Sequence, residues 1–276
     1  MRKPFIAGNW KMNHPTKPSK LLLEEFLHHG QRLESILHKL DSAAELDIAI
    51  FPPSVYLKDA QEILTDSSIH WGTQNVSAYD EGAYTGEISA KMLNEFGCEY
   101  VLVGHSERRC LYDQLELDQY VLDQIVAQKY DVALRHNITP IICFGETGEE
   151  YHAGKTEQVI SRLLNTLIEH NGAAALANTI LAYEPIWAIG TGTAASPDWI
   201  EHIHYFIRQR IAKHDPVVAE SIRILYGGSV QSVNAQAIFA QPNVDGGLIG
   251  GAALDVEEFL HICFAAALKP SLAANG

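Results

Sequence analysis

The chain has 276 residues, of which 47% are hydrophobic and 20% charged, and it carries a formal charge of -14. That acidity argues against a nucleic-acid partner, which needs clustered Lys and Arg, and no apolar run approaches the ~18 residues of a membrane span. Met1-Arg2-Lys3-Pro4 lacks the apolar core of a secretion signal, and Cys98, Cys110, Cys143 and Cys263 show neither CxxC nor metal-ligand spacing, so they read as reduced thiols of a cytoplasmic protein.

Residues 4–8 read as a first strand, followed by a Pro-bounded turn at 15–18 and a helix over 20–40, with Leu22, Phe26, Leu33 and Leu37 at helical spacing. Strands at 47–51 and 69–73 flank a helix at 54–64, and a helix at 87–96 leads to a strand at 100–104. The pattern repeats with helix 114–134, strand 140–144, helix 149–170 and strand 180–183. Ser196 then Pro197 look like an N-cap and first helical residue, opening a helix over 197–213. Strand 223–226, helix 230–240, strand 247–249 and helix 256–268 complete the series, and the small, polar tail 269–276 is expected to fray. Eight strands thus alternate with eight helices, and no linker divides residues 1–276. Strict alternation implies parallel strands with right-handed crossovers. The expected fold is α/β, a single-domain closed (β/α)8 barrel, with a doubly wound sheet as the alternative.

In such a barrel the active site forms at the C-terminal ends of the strands. Those ends carry Asn9-Trp10-Lys11, Gly104-His105-Ser106-Glu107, Glu184, Gly227-Gly228-Ser229 and Gly250-Gly251. A cation, an imidazole, a carboxylate and two double-glycine turns therefore converge on one face. The turns precede helical patterns, where bare backbone N–H groups bind anions and glycine lets a phosphate approach. Taken singly, Lys11 reads as a solvated lysine, His105 as a core histidine, Glu107 with Arg109 as a surface pair, and each Gly-Gly as a tight turn. Their common end of the barrel favours the functional reading. Glu184 carries the strongest signal, because an apolar strand ends on it, Pro185 stiffens the backbone beyond it, and Gly190-Thr191-Gly192 can hinge. Cys143 reads as a small packed hydrophobe.

Six runs in order resemble the triosephosphate isomerase family across nearly the whole chain: residues 7–13, 104–109, 143–147, 182–192, 226–230 and 246–252. The resemblance implies a TIM barrel that interconverts dihydroxyacetone phosphate and D-glyceraldehyde 3-phosphate without a cofactor. By that likeness Glu184 is the base and His105 a neutral electrophile, kept so by the helix N-terminus after it. Lys11 supplies positive charge to the developing oxyanion and the phosphate, Asn9 orients substrate oxygens, and Glu107 is a carboxylate beside the site. Gly190, Ser229, Gly250 and Gly251 match the phosphate grip. Pro185, Ile186 and Trp187 form one hinge of a flap and residues 193–195 the other, Ile189 and Leu248 close over Glu184, and Tyr226 with Ser229 holds the closed flap. Residues 74–87, with Gln74, Thr85 and Glu87, resemble the protruding loop by which the family forms a homodimer, Thr85 reaching the partner's site.

The chain departs from the family pattern at Thr193, where many members carry Lys, and at Cys110-Leu111-Tyr112-Asp113-Gln114, where an aromatic-Gly-Glu run is usual. Segments 15–46 and 113–139 look longer than usual but belong to the outer ring. Two other functions stay compatible with these residues: an isomerase of a four-carbon ketose phosphate, which needs the same groups in a roomier pocket, and a non-catalytic barrel kept for binding.

Overall fold

Eight parallel strands close on themselves in chain order: β1 (Phe5–Asn9), β2 (Asp47–Phe51), β3 (Ile69–Thr73), β4 (Tyr100–Val103), β5 (Thr139–Phe144), β6 (Ile180–Tyr183), β7 (Arg223–Tyr226) and β8 (Gly246–Ile249). The seam pairs Phe5 with Gly246 and Ala7 with Leu248. This computed structural model describes residues 2–13, 17–39, 46–113, 118–190 and 194–269. The barrel is the expected architecture, and the doubly wound alternative is excluded because β8 pairs with β1.

Both faces of each strand are buried, so the strands read as apolar runs rather than as alternating ones. Phe5, Ala7, Phe51, Leu102, Ile141, Cys143, Ala182 and Leu248 fill the interior. Their neighbours Ile6, Ile50, Val103, Ile142, Leu181 and Ile249 point outwards and pack with the buried faces of the surrounding helices. Because all strands run the same way, their C-terminal ends meet at one end of the barrel.

The described residues form eleven α-helices rather than the expected eight. Those matching expected segments are α1 (Ser19–Lys39), α2 (Leu57–Leu64), α3 (Ala90–Glu95), α5 (Gln119–Arg135), α7 (Thr156–Asn171), α8 (Pro197–Ala212), α10 (Ser232–Phe239) and α11 (Val256–Ala267). The sequence pattern did not separate three: α4 (Ser106–Asp113), whose start only the family resemblance implies, α6 (Gly148–His152), which it merges with α7, and α9 (Pro216–Ser221). α4 has no apolar stripe, because its inner face is polar: Arg109 reaches back to the Gly104 carbonyl and to Asp123. The single helix expected over 149–170 breaks at Gly154, whose φ of 66° is left-handed. A Thr147–Glu150 capping box opens α6. α9 is too short for periodicity, though Asp215 caps it and Pro216 starts it. Ser196 caps α8 as expected, accepting from the Trp199 N–H at 3.2 Å. The expected frayed tail lies outside the described residues from 270 onwards. No helix among the described residues is long and apolar enough to cross a membrane.

One histidine ties this packing to pH. His204 of α8 is fully buried, edge-on to Tyr183 of β6 with ring centroids 6.0 Å apart. Its Nδ1 donates to the Asn243 carbonyl at 3.3 Å, and its Nε2 has no partner. Burial pushes its pKa from 6.5 down to about 3. The folded state keeps the ring neutral where the unfolded chain would already hold a proton. This contribution to stability is complete above pH 6.5 and is lost as the pH falls towards 3, at about 1.4 kcal/mol per pH unit. In urea unfolding at pH 7 and pH 4.5, His204→Gln should reduce the stability lost on acidification by roughly 2–3 kcal/mol. An acid sensitivity equal to that of the parent chain would contradict this.

Candidate active site

A cavity of about 290 Å³ opens at the C-terminal end of the barrel, lined by Asn9, Lys11, His105, Glu184, Ile189, Gly190, Ser229, Leu248, Gly250 and Gly251 among others. Ligand cavities usually span roughly 300–1,000 Å³, so this one suits a small molecule. These residues are delivered by the ends of five strands, β1, β4, β6, β7 and β8. Glu184 follows β6, with its N–H bonded to the Phe144 carbonyl at 2.7 Å. His105 follows β4 through Gly104, whose φ of 75° turns the chain sharply into α4.

Glu184 is 1% exposed. Its Oε2 accepts the Ser106 backbone N–H at 3.0 Å, at the N-terminus of α4, and its Oε1 lies 3.2 Å from His105 Nε2. Gly227 leaves room for this carboxylate, since a Cβ there would meet Glu184 Cγ at 2.8 Å.

Hydrogen bonding assigns the His105 ring. Its Nδ1 faces the Glu107 backbone N–H at 3.3 Å and must accept from it. The Glu107 carboxylate, 3.8 Å from the same nitrogen, is too far to compete. A neutral ring bonded in this way carries its proton on Nε2. Asn9 Nδ2 stands 3.3 Å from that Nε2. Nε2 thus faces the Glu184 carboxylate at 3.2 Å, with the Asn9 amide nitrogen beside it as a second donor that a substrate oxygen would meet.

Lys11 lies in a left-handed backbone conformation, φ 53°. Its N–H donates to Asn9 Oδ1 at 2.9 Å. Its Nζ pairs with Glu107 Oε1 at 2.6 Å, and its chain passes close to Gly250. Glu107 is exposed and meets the cavity through two of its lining residues, its carboxylate on Lys11 and its backbone N–H on His105.

The flap segment is tied at both ends. Ser229 Oγ donates to the Ala188 carbonyl at 2.9 Å, and the Ala195 N–H donates to the Tyr226 hydroxyl at 3.0 Å. Pro185 leads into a 3-10 turn, Ile186–Ala188. The Trp187 indole N–H donates to Glu146 Oε1 at 2.8 Å, as does the Tyr183 hydroxyl at 3.0 Å. Burial raises the pKa of Glu146, and these donors oppose the rise. Thr193, the departure at the far hinge, lies outside the described residues, as do Thr191 and Gly192.

Within the expected dimer loop, Gln74 behaves differently from Thr85 and Glu87. Gln74 turns inward to the Lys11 and Phe51 carbonyls, whereas Thr85 and Glu87 are exposed. Cys143 is fully buried inside the barrel, where burial raises its pKa well above the usual thiol range, so it packs and does not attack. Among the described residues no three His, Cys, Asp or Glu side chains gather as metal ligands.

Sequence reasoning missed several contributors. Val230, Gln231 and Ala252 also line the cavity. The Ser106 N–H that holds Glu184 could be found only once α4 was known to start there. Glu146 stood in the run 143–147 without a role; its signal was a carboxylate just past the end of β5.

A family model described as triosephosphate isomerase matches residues 4–266. The chain is 46% identical over 266 residues to a triosephosphate isomerase of Nitrosococcus oceani, covering 96% of this chain and 100% of that protein. It is 44% identical over 270 residues to triosephosphate isomerases of Shewanella piezotolerans and Shewanella denitrificans, covering 95% of this chain and 97% of each.

Proposed function

The chain belongs to the triosephosphate isomerase family and interconverts dihydroxyacetone phosphate and D-glyceraldehyde 3-phosphate, and we propose that Glu184, His105 and Lys11 carry that reaction in the cavity at the barrel's C-terminal end. The meeting of Asn9 Nδ2, His105 Nε2 and the buried Glu184 carboxylate within 3.3 Å of the imidazole nitrogen, in the same cavity that Lys11 lines, supports this reading best.

The phosphate is held by Ser229 and the backbone of Gly190, Gly250 and Gly251, all of which face the cavity. The ketose carbonyl oxygen enters between Asn9, His105 and Lys11. Glu184 leaves the Ser106 N–H, turns to the substrate and takes a proton from C1. The C–H electron pair forms the C1–C2 double bond, and the carbonyl pair moves onto the oxygen as an enediolate. His105 and Lys11 stabilise that charge as it develops, which accelerates the step because they act more strongly on the transition state than on the ketone. The C1 hydroxyl proton passes to the C2 oxygen by way of His105 Nε2, and Glu184 then returns its proton to C2 as the C1 oxygen pair closes the aldehyde carbonyl. Ile189 and Leu248 cover the carboxylate and exclude water, which strengthens the base and protects the enediolate.

The protein works as a cytoplasmic homodimer. Residues 74–87 carry the exposed, stacked pair Tyr79 and Tyr84, with ring centroids 3.9 Å apart. The Ser77 N–H bonds the Ile88 carbonyl at 2.9 Å and closes the base of this protrusion. Thr85 at its exposed tip is the residue that reaches a partner's site.

A coupled assay on glyceraldehyde 3-phosphate and on a four-carbon ketose phosphate tests the substrate. The compact cavity predicts a higher kcat/KM on the triose. A preference for the four-carbon sugar would overturn the assignment, and no turnover of either would return the chain to a binding role.

A further inference from the structure

The short helix α6 is fixed against the end of β6. The Ile186 N–H donates to the Glu146 carbonyl at 3.0 Å, and no Cβ would fit at Gly145 against the Glu184 carbonyl. A Cβ at Gly148 would stand 3.6 Å from the Trp187 Cβ, so the start of α6 lies against the turn that follows Glu184. From this helix the half-buried Tyr151 touches two indoles. Its ring stacks at a tilt on Trp187, with centroids 4.5 Å apart and planes at 31°, and meets Trp199 edge-on at 5.2 Å and 86°. Trp187 precedes Ile189 in the flap, and Trp199 stands in the first turn of α8, which begins just past Ala195. One phenol ring therefore touches both roots of the flap.

Polar groups tie the two indoles separately. Trp187 Nε1 donates to Glu146 Oε1, and Trp199 Nε1 donates at 3.2 Å to the Tyr183 hydroxyl, itself bonded to that same oxygen. These bonds hold each indole by its N–H, whereas Tyr151 is the ring on which both pack. An aromatic pair of this geometry biases an equilibrium by roughly 2–10-fold. Tyr151 does not line the cavity, so any effect on the reaction passes through the flap.

We propose that Tyr151 is a positioning residue of the flap: by packing on Trp187 and Trp199 it fixes both roots and so sets how completely Ile189 closes over Glu184. This rests on the reading of residues 185–195 as a flap over a triose phosphate site. Without the ring, the roots keep their polar ties but lose their common wall, and the enediolate is left uncovered for longer. An uncovered enediolate with its charge on the C1 oxygen decomposes. The oxygen pair forms the aldehyde carbonyl, the C1–C2 double-bond pair shifts to C2–C3, and the C3–O bond breaks with phosphate leaving. The enol left behind gains a proton at C3 and loses one from the C2 hydroxyl, giving a ketoaldehyde.

The test measures free phosphate released per aldehyde formed from dihydroxyacetone phosphate, corrected for the enzyme-free rate. This ratio does not depend on how much of the protein is folded, so a merely structural role would leave it unmoved. Tyr151→Leu should raise it at least ~3-fold over the parent chain, with kcat lowered. Tyr151→Phe, which keeps the ring, should restore the parent ratio. An unchanged or lower ratio in Tyr151→Leu, or a Tyr151→Phe that leaks as much as Tyr151→Leu, would overturn the proposal. If Tyr151→Leu does not fold, Trp199→Leu, which removes one of the two indoles the ring packs on, is read by the same ratio and the same criterion. A parent chain with no turnover would defeat the reading of the site; an active parent whose ratio ignores Tyr151 would defeat only this inference.

Discussion

Glu184→Gln lowers kcat by at least ~10²-fold and leaves KM close to that of the parent chain; general bases contribute about 10²–10⁴-fold. The substitution is nearly isosteric. The amide oxygen can still accept the Ser106 N–H now bonded to Oε2 at 3.0 Å, so the local structure should survive. The loss is confined to the ability to take a proton, and only that step separates the two forms. Because the proposed phosphate grip at Ser229, Gly250 and Gly251 does not use the carboxylate, ground-state binding should be kept. Steady-state rates in both directions, on protein shown to be folded, measure this. Near-normal turnover would reject Glu184 as the base.

Lys11→Met removes a charge while keeping the length of the side chain, and it should lower kcat/KM by about 10²–10³-fold, with both kcat and KM affected. The competing explanation is stability, since Lys11 Nζ forms an ion pair with Glu107 Oε1 at 2.6 Å. That pair is partly exposed, with Glu107's side chain at 53%, and such pairs contribute about 0–1 kcal/mol. Loss of the bridge therefore leaves the fold almost unaltered, and the damage should fall on catalysis. A melting temperature near the parent's together with a large loss of kcat/KM is the expected pairing. A destabilised variant with intact kcat/KM would assign Lys11 a structural role.

Much of this was legible in the chain because a parallel barrel writes itself plainly. Strands such as Ile180–Tyr183 are buried on both faces and read as unbroken apolar runs, and each lay within a residue of its expected limits. The convergence of Lys11, His105 and Glu184 on one cavity came from strand direction alone. The hidden features depend on contacts that no local pattern records. α4 is polar on its inner face, so it carried no helical stripe. The tautomer of His105 is set by the Glu107 backbone N–H, which exists as a donor only because α4 begins there. Gln74 stood out in the sequence only as part of the expected dimer loop, whereas its side chain turns inward to carbonyls 63 and 23 residues away. Glu146 likewise gains its role from Trp187, which lies 41 residues further on.

The central claim is that a single carboxylate carries a proton between adjacent carbons of a triose phosphate. It is tested most directly by following dihydroxyacetone phosphate turnover in D2O by mass or NMR spectroscopy, with the parent chain and with Glu184→Gln. A carboxylic acid proton trades with solvent, so the parent should place deuterium on C2 of the glyceraldehyde 3-phosphate it forms, and Glu184→Gln should lose this labelling along with turnover. Product free of solvent deuterium, or labelling by Glu184→Gln as fast as by the parent, would contradict it.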